Sequence, residues 1–190
     1  MISQPAATVE RRGKWTKLPP PPQYGGAMAT IFPRPSPSLP PFKTLLIQGP
    51  YHPSAPLHLC LSHSTLSPTN SALVISPSRS KLQAALKESN EGWLYDHGGD
   101  GTTCSSSTRV QLLYPPTASH LALVLTSLHE ANVAGKSAYI PKVTFDVAPT
   151  LVVLCELSSY VTDDSASTVS SYLTLVTQAL TSAATLSTNS

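Results

Sequence analysis

The residues from Gly49 to Pro56 read Gly-Pro-Tyr-His-Pro-Ser-Ala-Pro and have the spacing of a phosphate-binding loop. An apolar run ends at Gly49, and a segment of helical character begins about seven residues later. Such a loop ends in glycine, lysine and a hydroxyl residue, and its backbone N–H groups hold phosphate oxygens. Here those three positions are Ser54, Ala55 and Pro56. Because prolines also remove N–H donors within the loop, we predict that it does not bind nucleotide in this way.

A second expected element of an active ATPase is a magnesium-orienting carboxylate at the end of a buried strand. The most apolar run of the chain, 150–155, ends instead in Cys155, and Glu156 follows. Two interpretations of Glu156 stay open: it replaces the missing acid, or it is a solvated carboxylate at a strand end. We favour the second.

Histidines and cysteines offer no other recognisable centre. His58 and His63 lie five residues apart rather than four, so they do not share a helical face. The three cysteines form no C-x-x-C pair, and no G-x-S-x-G motif is present. We therefore predict a protein without catalytic residues, bound metal or cofactor.

Prolines and charges divide the chain into two parts. Of the 19 prolines, 13 lie within the first 56 residues, and residues 1–43 hold six Lys or Arg against one acid. The remainder holds six bases and nine acids. We predict a disordered, basic, proline-rich leader at 1–42, a folded domain at 43–186 and a tail at 187–190. Weak contacts between the leader and single-stranded DNA are predicted for Arg11, Arg12, Lys14, Trp15 and Lys17.

The rest of the pattern alternates between strands and helices. Short apolar runs predict strands at 44–48, 71–76, 109–113 and 150–155. Helices are predicted to begin near Pro56, Pro77, Thr117 and Asp164, whereas 91–108 and 131–147 are predicted to be loops. Continuously apolar strands separated by helices favour a small, mainly parallel sheet covered on both faces. The predicted fold class is therefore α/β, with three layers.

Several stretches carry a family resemblance. They are RVQLLYPPTASHLALVLTSLHEA from Arg109, PTLVVLCELSSYV from Pro149 and SSYLTLVTQAL from Ser170. The chain resembles the RecA-like recombinase paralogues over about 44–186, most densely over 109–180. Within them it looks most like the small ATPase-like subunit that partners a SWIM-type zinc-finger protein in Shu-type complexes.

The resemblance implies a RecA-like P-loop NTPase fold, truncated after the fourth strand and its helix, with degenerate nucleotide-binding motifs. It implies a nuclear subunit that supports homologous recombination by binding a SWIM-type protein or a recombinase paralogue. Candidate partner contacts are Phe42 and the run Tyr114, Pro115 and Pro116. A partner could also cover an exposed edge of the shortened sheet.

Two alternatives remain open at the level of sequence. One is a nucleotide-binding ATPase with an atypical loop, which would depend on Glu156. The other is an inactive RecA-like scaffold subunit of an unrelated complex. No apolar stretch reaches the roughly 20 residues that span a bilayer, and no secretory signal is evident, so we expect a soluble intracellular protein. Translation from Met1 or from Met28 is equally compatible with the sequence.

Overall fold

The computed structural model of the chain describes residues 28–33, 35–130, 148–162 and 169–188. The predicted leader contacts from Arg11 to Lys17, the predicted loop at 131–147 and the predicted helix start at Asp164 lie outside the described residues. The elements, in chain order, are α1 (Ala55–Leu66), β1 (Ala72–Ile75), α2 (Arg79–Glu88), α3 (Gly92–His97), α4 (Gly101–Ser107), β2 (Val110–Leu113), α5 (Ala118–Glu130), β3 (Leu151–Leu154), α6 (Ser159–Thr162) and α7 (Val169–Thr188).

The three strands form one parallel sheet in the order β2-β1-β3. Ala72, the first residue of β1, lies opposite Val110 on one side and Leu151 on the other. All four residues of β1 are buried, which agrees with its unbroken apolar sequence. The predicted α/β class with a small parallel sheet is therefore confirmed.

Helices cover both faces of this sheet. On the first face, Leu73 and Ile75 of β1 pack against a leucine row of α5 and against Leu175 of α7. On the second face, Ala72 and Val74 pack with Cys60 of α1 and with Cys155. Alternate side chains of one strand thus reach two separate cores, as strand geometry requires. The sheet therefore lies between two layers of helices, which is the predicted three-layer arrangement.

The two crossovers run in opposite directions over opposite faces. Between β1 and β2 the chain passes through α2, α3 and α4, and α4 contacts α1 on the second face. Between β2 and β3 it passes through α5 on the first face. The chain leaves β3 towards α6 and α7, which belong to the first face. The segments that follow β1 and β3 therefore lead to opposite faces of the sheet, which creates a topological switch point between the two strands.

Two predictions about local structure are wrong. Residues 44–48 form no strand, and Leu46 is 81% exposed. Strand formation needs the backbone of a neighbouring strand, which a run of apolar residues does not specify.

Residues 91–108 contain the helices α3 and α4 rather than one long loop. The side chain of Glu91 accepts a hydrogen bond from the Leu94 backbone nitrogen and so caps α3, a local signal that outweighs the high glycine content.

The core contact between β1 and α5 gives a direct test. Replacement of buried Leu125 (1% exposed) in Leu125→Ala will lower the free energy of unfolding by about 2–5 kcal/mol, because it leaves a cavity. Leu123 lies on the same helix but is 64% exposed, so Leu123→Ala will change that free energy by no more than about 0.5 kcal/mol. Urea denaturation of both variants measures the difference. Equal losses would contradict the placement of this helix.

Candidate functional site

A cleft of about 240 Å³ opens at the switch point, beyond the carboxyl ends of β1 and β3. Ser76 follows β1 into it, and Cys155 and Glu156 follow β3. Gly49 and Tyr51 contribute the opposite wall. Open parallel sheets bind their ligands at this position, so the cleft is the candidate site of the chain.

The structure brings most of the predicted degenerate positions together in this cleft. Gly49, Pro56, Cys155 and Glu156 line it, whereas Ser54 and Ala55 are buried at the start of α1. Gly49 has φ +104°, a conformation that L side chains rarely adopt, so a glycine suits this turn. Gly49 and the two residues that follow β3 therefore line the same cleft.

The wall of the cleft is poorly suited to phosphate. Pro50, Pro53 and Pro56 line it, and none of them has an N–H to donate to an anion. None of the lining residues is Lys or Arg, and the carboxylate of Glu156 makes the cleft negative. A polyphosphate would therefore meet repulsion and few donors here.

Two groups of the cleft, the Cys155 thiol and the Tyr51 hydroxyl, are held in their neutral forms. Burial, reinforced by the charge of Glu156, raises the pKa of the Cys155 thiol to about 12. Burial also raises the pKa of Tyr51 to about 12, with smaller contributions from Cys155 and Glu156. A thiol of this pKa is not a nucleophile near neutral pH, and Tyr51 stays a hydrogen-bond donor. No histidine lines the cleft to act as a general base.

Glu156 adopts an unusual backbone conformation at the edge of this cleft. Its φ is +51°, in the left-handed region that few non-glycine residues occupy. Its carboxylate stands one position after the end of the apolar run, and the residue is exposed. The left-handed turn redirects the chain from β3 towards α6. The conformation and exposure of Glu156 agree with its interpretation as a solvated carboxylate at a strand end.

A second polar cluster, which sequence reasoning missed, lies at the start of α1. The Nε2 atom of buried His58 lies 3.3 Å from Oε1 of Glu91, and Nδ1 of His52 lies 3.7 Å from Oε2. The His58 ring also meets Trp93 edge-on at 5.0 Å between ring centroids. Glu91 stands 33 residues after His58, so no spacing rule could have joined them. The cluster fixes α3 against the first turn of α1.

The cluster resembles a hydrolytic triad in composition but not in geometry. The hydroxyl of Ser54 lies 2.7 Å from Nδ1 of His52, which is also the ring nitrogen that faces Glu91. A triad needs the serine and the acid on different ring nitrogens, because one accepts a proton while the other donates to the carboxylate. Ser54 is also fully buried, out of reach of a substrate. The cluster is therefore structural.

At each of His58 and Glu91, burial and hydrogen bonding shift the pKa in opposite directions. Burial lowers the pKa of His58 below its ordinary value of 6.5, although Glu91 partly offsets the shift. Burial would raise the pKa of Glu91, but hydrogen bonds from Ser54 and the Leu94 N–H, together with His58, outweigh it and lower that pKa. At neutral pH the contact is thus a neutral imidazole donating to a carboxylate.

The predicted partner contacts occupy separate elements. Phe42 is partly exposed in the stretch before Gly49, and Tyr114 is half-buried at the end of β2. Pro116 is exposed, but Pro115 is buried and its carbonyl oxygen accepts a hydrogen bond of 2.9 Å from the hydroxyl of Tyr160. Pro115 therefore helps to hold α6 against the end of β2, and a contact with a partner would have to use its neighbours.

Comparisons of the chain with protein-family models, with curated proteins and with solved structures find no match. Within the described part of the chain, no three or more His, Cys, Asp or Glu side chains are grouped as metal ligands would be. The same residues include no helix with the length and apolarity needed to cross a bilayer.

Acidification will destabilise the protein from about pH 6.5 downwards. As the pH falls, the unfolded chain protonates its histidine at the ordinary pKa of 6.5, while folded His58 resists protonation. The stability contributed by neutral His58 is therefore complete above that pH and is lost as the pH falls towards its lowered pKa. Burial also lowers the pKa of half-buried His63, which adds to the effect. Below about pH 4.5, protonation of Glu91 removes a further contribution.

Urea denaturation between about pH 7.5 and 5.5 measures this dependence. His58→Gln removes one of the two shifted imidazoles, so the free energy of unfolding will fall less steeply with pH in that variant than in the wild type. Identical slopes in the two proteins would show that His58 is not the group responsible.

The bond between Tyr160 and Pro115 will also be measurable. Tyr160→Phe leaves a buried carbonyl oxygen without its donor, which will lower the free energy of unfolding by about 1–3 kcal/mol. Tyr95 is exposed on α3, and Tyr95→Phe is the matched control, with an expected change within about 0.5 kcal/mol. Thermal or urea denaturation distinguishes the two variants.

Proposed function

We propose that this chain is a non-catalytic RecA-like subunit with a degenerate phosphate-binding loop, which supports homologous recombination in the nucleus by association. Its partner would be a SWIM-type zinc-finger protein or a recombinase paralogue. The partner class rests on the resemblance of the stretches that begin at Arg109, Pro149 and Ser170. The non-catalytic role rests on the cleft.

One observation carries the non-catalytic part of the proposal. The cleft stands where α/β proteins bind their ligands, yet three prolines line it, no cation does, and Glu156 gives it a negative charge. An ATPase requires the opposite: backbone donors, a lysine and a magnesium ion beside the phosphates. A domain that retains the architecture but lacks these groups is suited to binding another protein.

The proposed contacts are apolar groups near the surface. Phe42 and Pro116 are exposed, and Tyr114 is half-buried, so each presents apolar surface that a partner could bury. Aromatic anchors of this kind contribute a large share of binding energy at interfaces. Single-stranded DNA would contact the Arg and Lys side chains and Trp15 of the leader in a weak, salt-dependent interaction.

Affinity capture of the tagged protein from its own cells, analysed by mass spectrometry, tests the partner class. Recovery of a SWIM-type protein or a recombinase is the expected result. Recovery of neither, from cells in which the protein is folded and expressed, would overturn the recombination role.

Calorimetric titration of the purified protein with Mg-ATP tests the non-catalytic part of the proposal, which predicts no binding of ATP. Binding of ATP that is lost in Glu156→Ala would replace the proposal with an atypical ATPase.

Substitutions at the proposed contacts sharpen the test. Phe42→Ala and Tyr114→Ala will each weaken binding of the recovered partner by about 10-fold or more, because each removes an aromatic anchor. Tyr95→Ala removes an exposed aromatic side chain from α3, away from these contacts, and will leave the affinity unchanged. Equal effects of all three substitutions would contradict the assigned surface.

A further inference from the structure

The outer edge of β3 has no strand beside it among the described residues. On the inner side, the Leu151 nitrogen donates to the carbonyl oxygen of Ser71, and the Cys155 nitrogen donates to that of Ile75. Backbone N–H groups alternate in direction along a strand, so those of Val152 and Leu154 point towards the outer edge. An open strand edge whose four residues are all apolar is an unusual feature for a protein to leave uncovered.

The chain also contains a segment with the composition of a strand that is not paired with another strand. Residues 44–48, called here the 44–48 segment, read Thr-Leu-Leu-Ile-Gln and form no regular structure. Leu45 and Ile47 are 41% and 47% exposed, whereas Leu46 between them is 81% exposed. This period of two is that of an extended strand with one face turned towards the protein. An apolar, partly β-branched composition and an exposure that alternates with a period of two therefore coincide here without backbone pairing.

Leu39, five residues before the 44–48 segment, is linked through Thr30 to the part of α1 that contacts the amino end of β3. The Leu39 nitrogen donates to the carbonyl oxygen of Ala29, and the neighbouring Thr30 nitrogen donates to the hydroxyl of Ser62 on α1. The next residue of that helix, His63, lies 2.8 Å from the hydroxyl of Thr150, which directly precedes β3. Residues just before the segment are thereby held close to the start of this strand.

The end of the 44–48 segment is fixed at the carboxyl end of β3. Gly49 lines the cleft together with Cys155, the residue that directly follows β3. The chain therefore passes from the side of α1 that contacts the start of β3 to the cleft at the end of β3, which is the direction of a parallel strand. Ten residues separate Leu39 from Gly49 and reach about 33 Å when extended, against about 17 Å from Thr150 to Cys155. The chain has enough length to lie along the edge.

We propose that in solution the 44–48 segment moves from its unpaired position in this structure and docks on the outer edge of β3 as a fourth parallel strand. Docking pairs the outward-pointing N–H groups of Val152 and Leu154, which face no strand among the described residues, and covers apolar side chains of the segment. It also fixes Gly49 and Tyr51, so the wall of the cleft becomes rigid when the strand is in place. Attachment at both ends gives this segment a higher effective concentration at the edge than a second copy of the chain has.

Amide hydrogen exchange of the purified full chain, followed residue by residue by NMR, tests the proposal. The amides of Val152 and Leu154 will exchange on the order of 100-fold more slowly than unpaired amides of the same sequence. This protection will be the same at two protein concentrations tenfold apart, because the strand belongs to the same molecule. Exchange at the unprotected rate would overturn the proposal, and so would protection that grows with concentration, which indicates a second copy.

A pair of neighbouring proline variants identifies the segment that provides the protection. In a paired strand, only one of two successive N–H groups faces β3. Only one of Leu46→Pro and Ile47→Pro will therefore remove a hydrogen bond to β3 and, with it, the protection of the Val152 and Leu154 amides. Loss in one variant and retention in the other supports a paired strand. Retention in both shows that another segment covers the edge, and equal loss in both shows apolar contact without pairing; either result overturns the proposal. The test needs no partner, so its result is independent of the proposed function.

Discussion

The whole structure depends on β1, which is paired on both sides and buried on both faces. Its four residues send alternate side chains into two cores, so α5 and α7 on one face and α1 on the other pack against the same strand. A four-residue strand satisfies its backbone only when both neighbours are present. The order β2-β1-β3 therefore also determines where the two crossovers must run.

The position of the cleft follows from that topology, whereas its chemistry follows from local sequence. Because the chain leaves β1 and β3 towards opposite faces, the segments that follow the two strands separate and leave a space beyond the strand ends. The residues that fill the rim are prolines, a tyrosine and one carboxylate, and they offer little to an anion. The cleft thus has the position of a ligand site in a parallel α/β sheet, whereas its residues offer little to a nucleotide. Association with another protein is the use that we propose for this arrangement.

Polar contacts between distant residues stabilise the second face. His58 is almost completely buried, and its ring nitrogen reaches Glu91 at 3.3 Å across 33 residues of sequence. A buried polar group without a partner is costly, so this contact holds α3 to α1 more specifically than apolar packing could. The raised pKa of about 12 at buried Cys60 likewise keeps that thiol neutral beneath the sheet. Both groups behave as parts of the core.

The sequence by itself determined the three strands of the sheet and the helices α1, α2, α5 and α7, because apolar periodicity and capping residues act locally. It also determined that the loop after Gly49 lacks the groups of a phosphate site, since residue types alone decide that point. Only the tertiary structure decided which strands pair, and it left the 44–48 segment exposed and unpaired although its pattern predicts a strand. It alone joined Glu91 to His58, and Tyr160 to Pro115. The physical reason is that backbone pairing and buried polar contacts depend on distances between residues far apart in the chain, which no local pattern encodes.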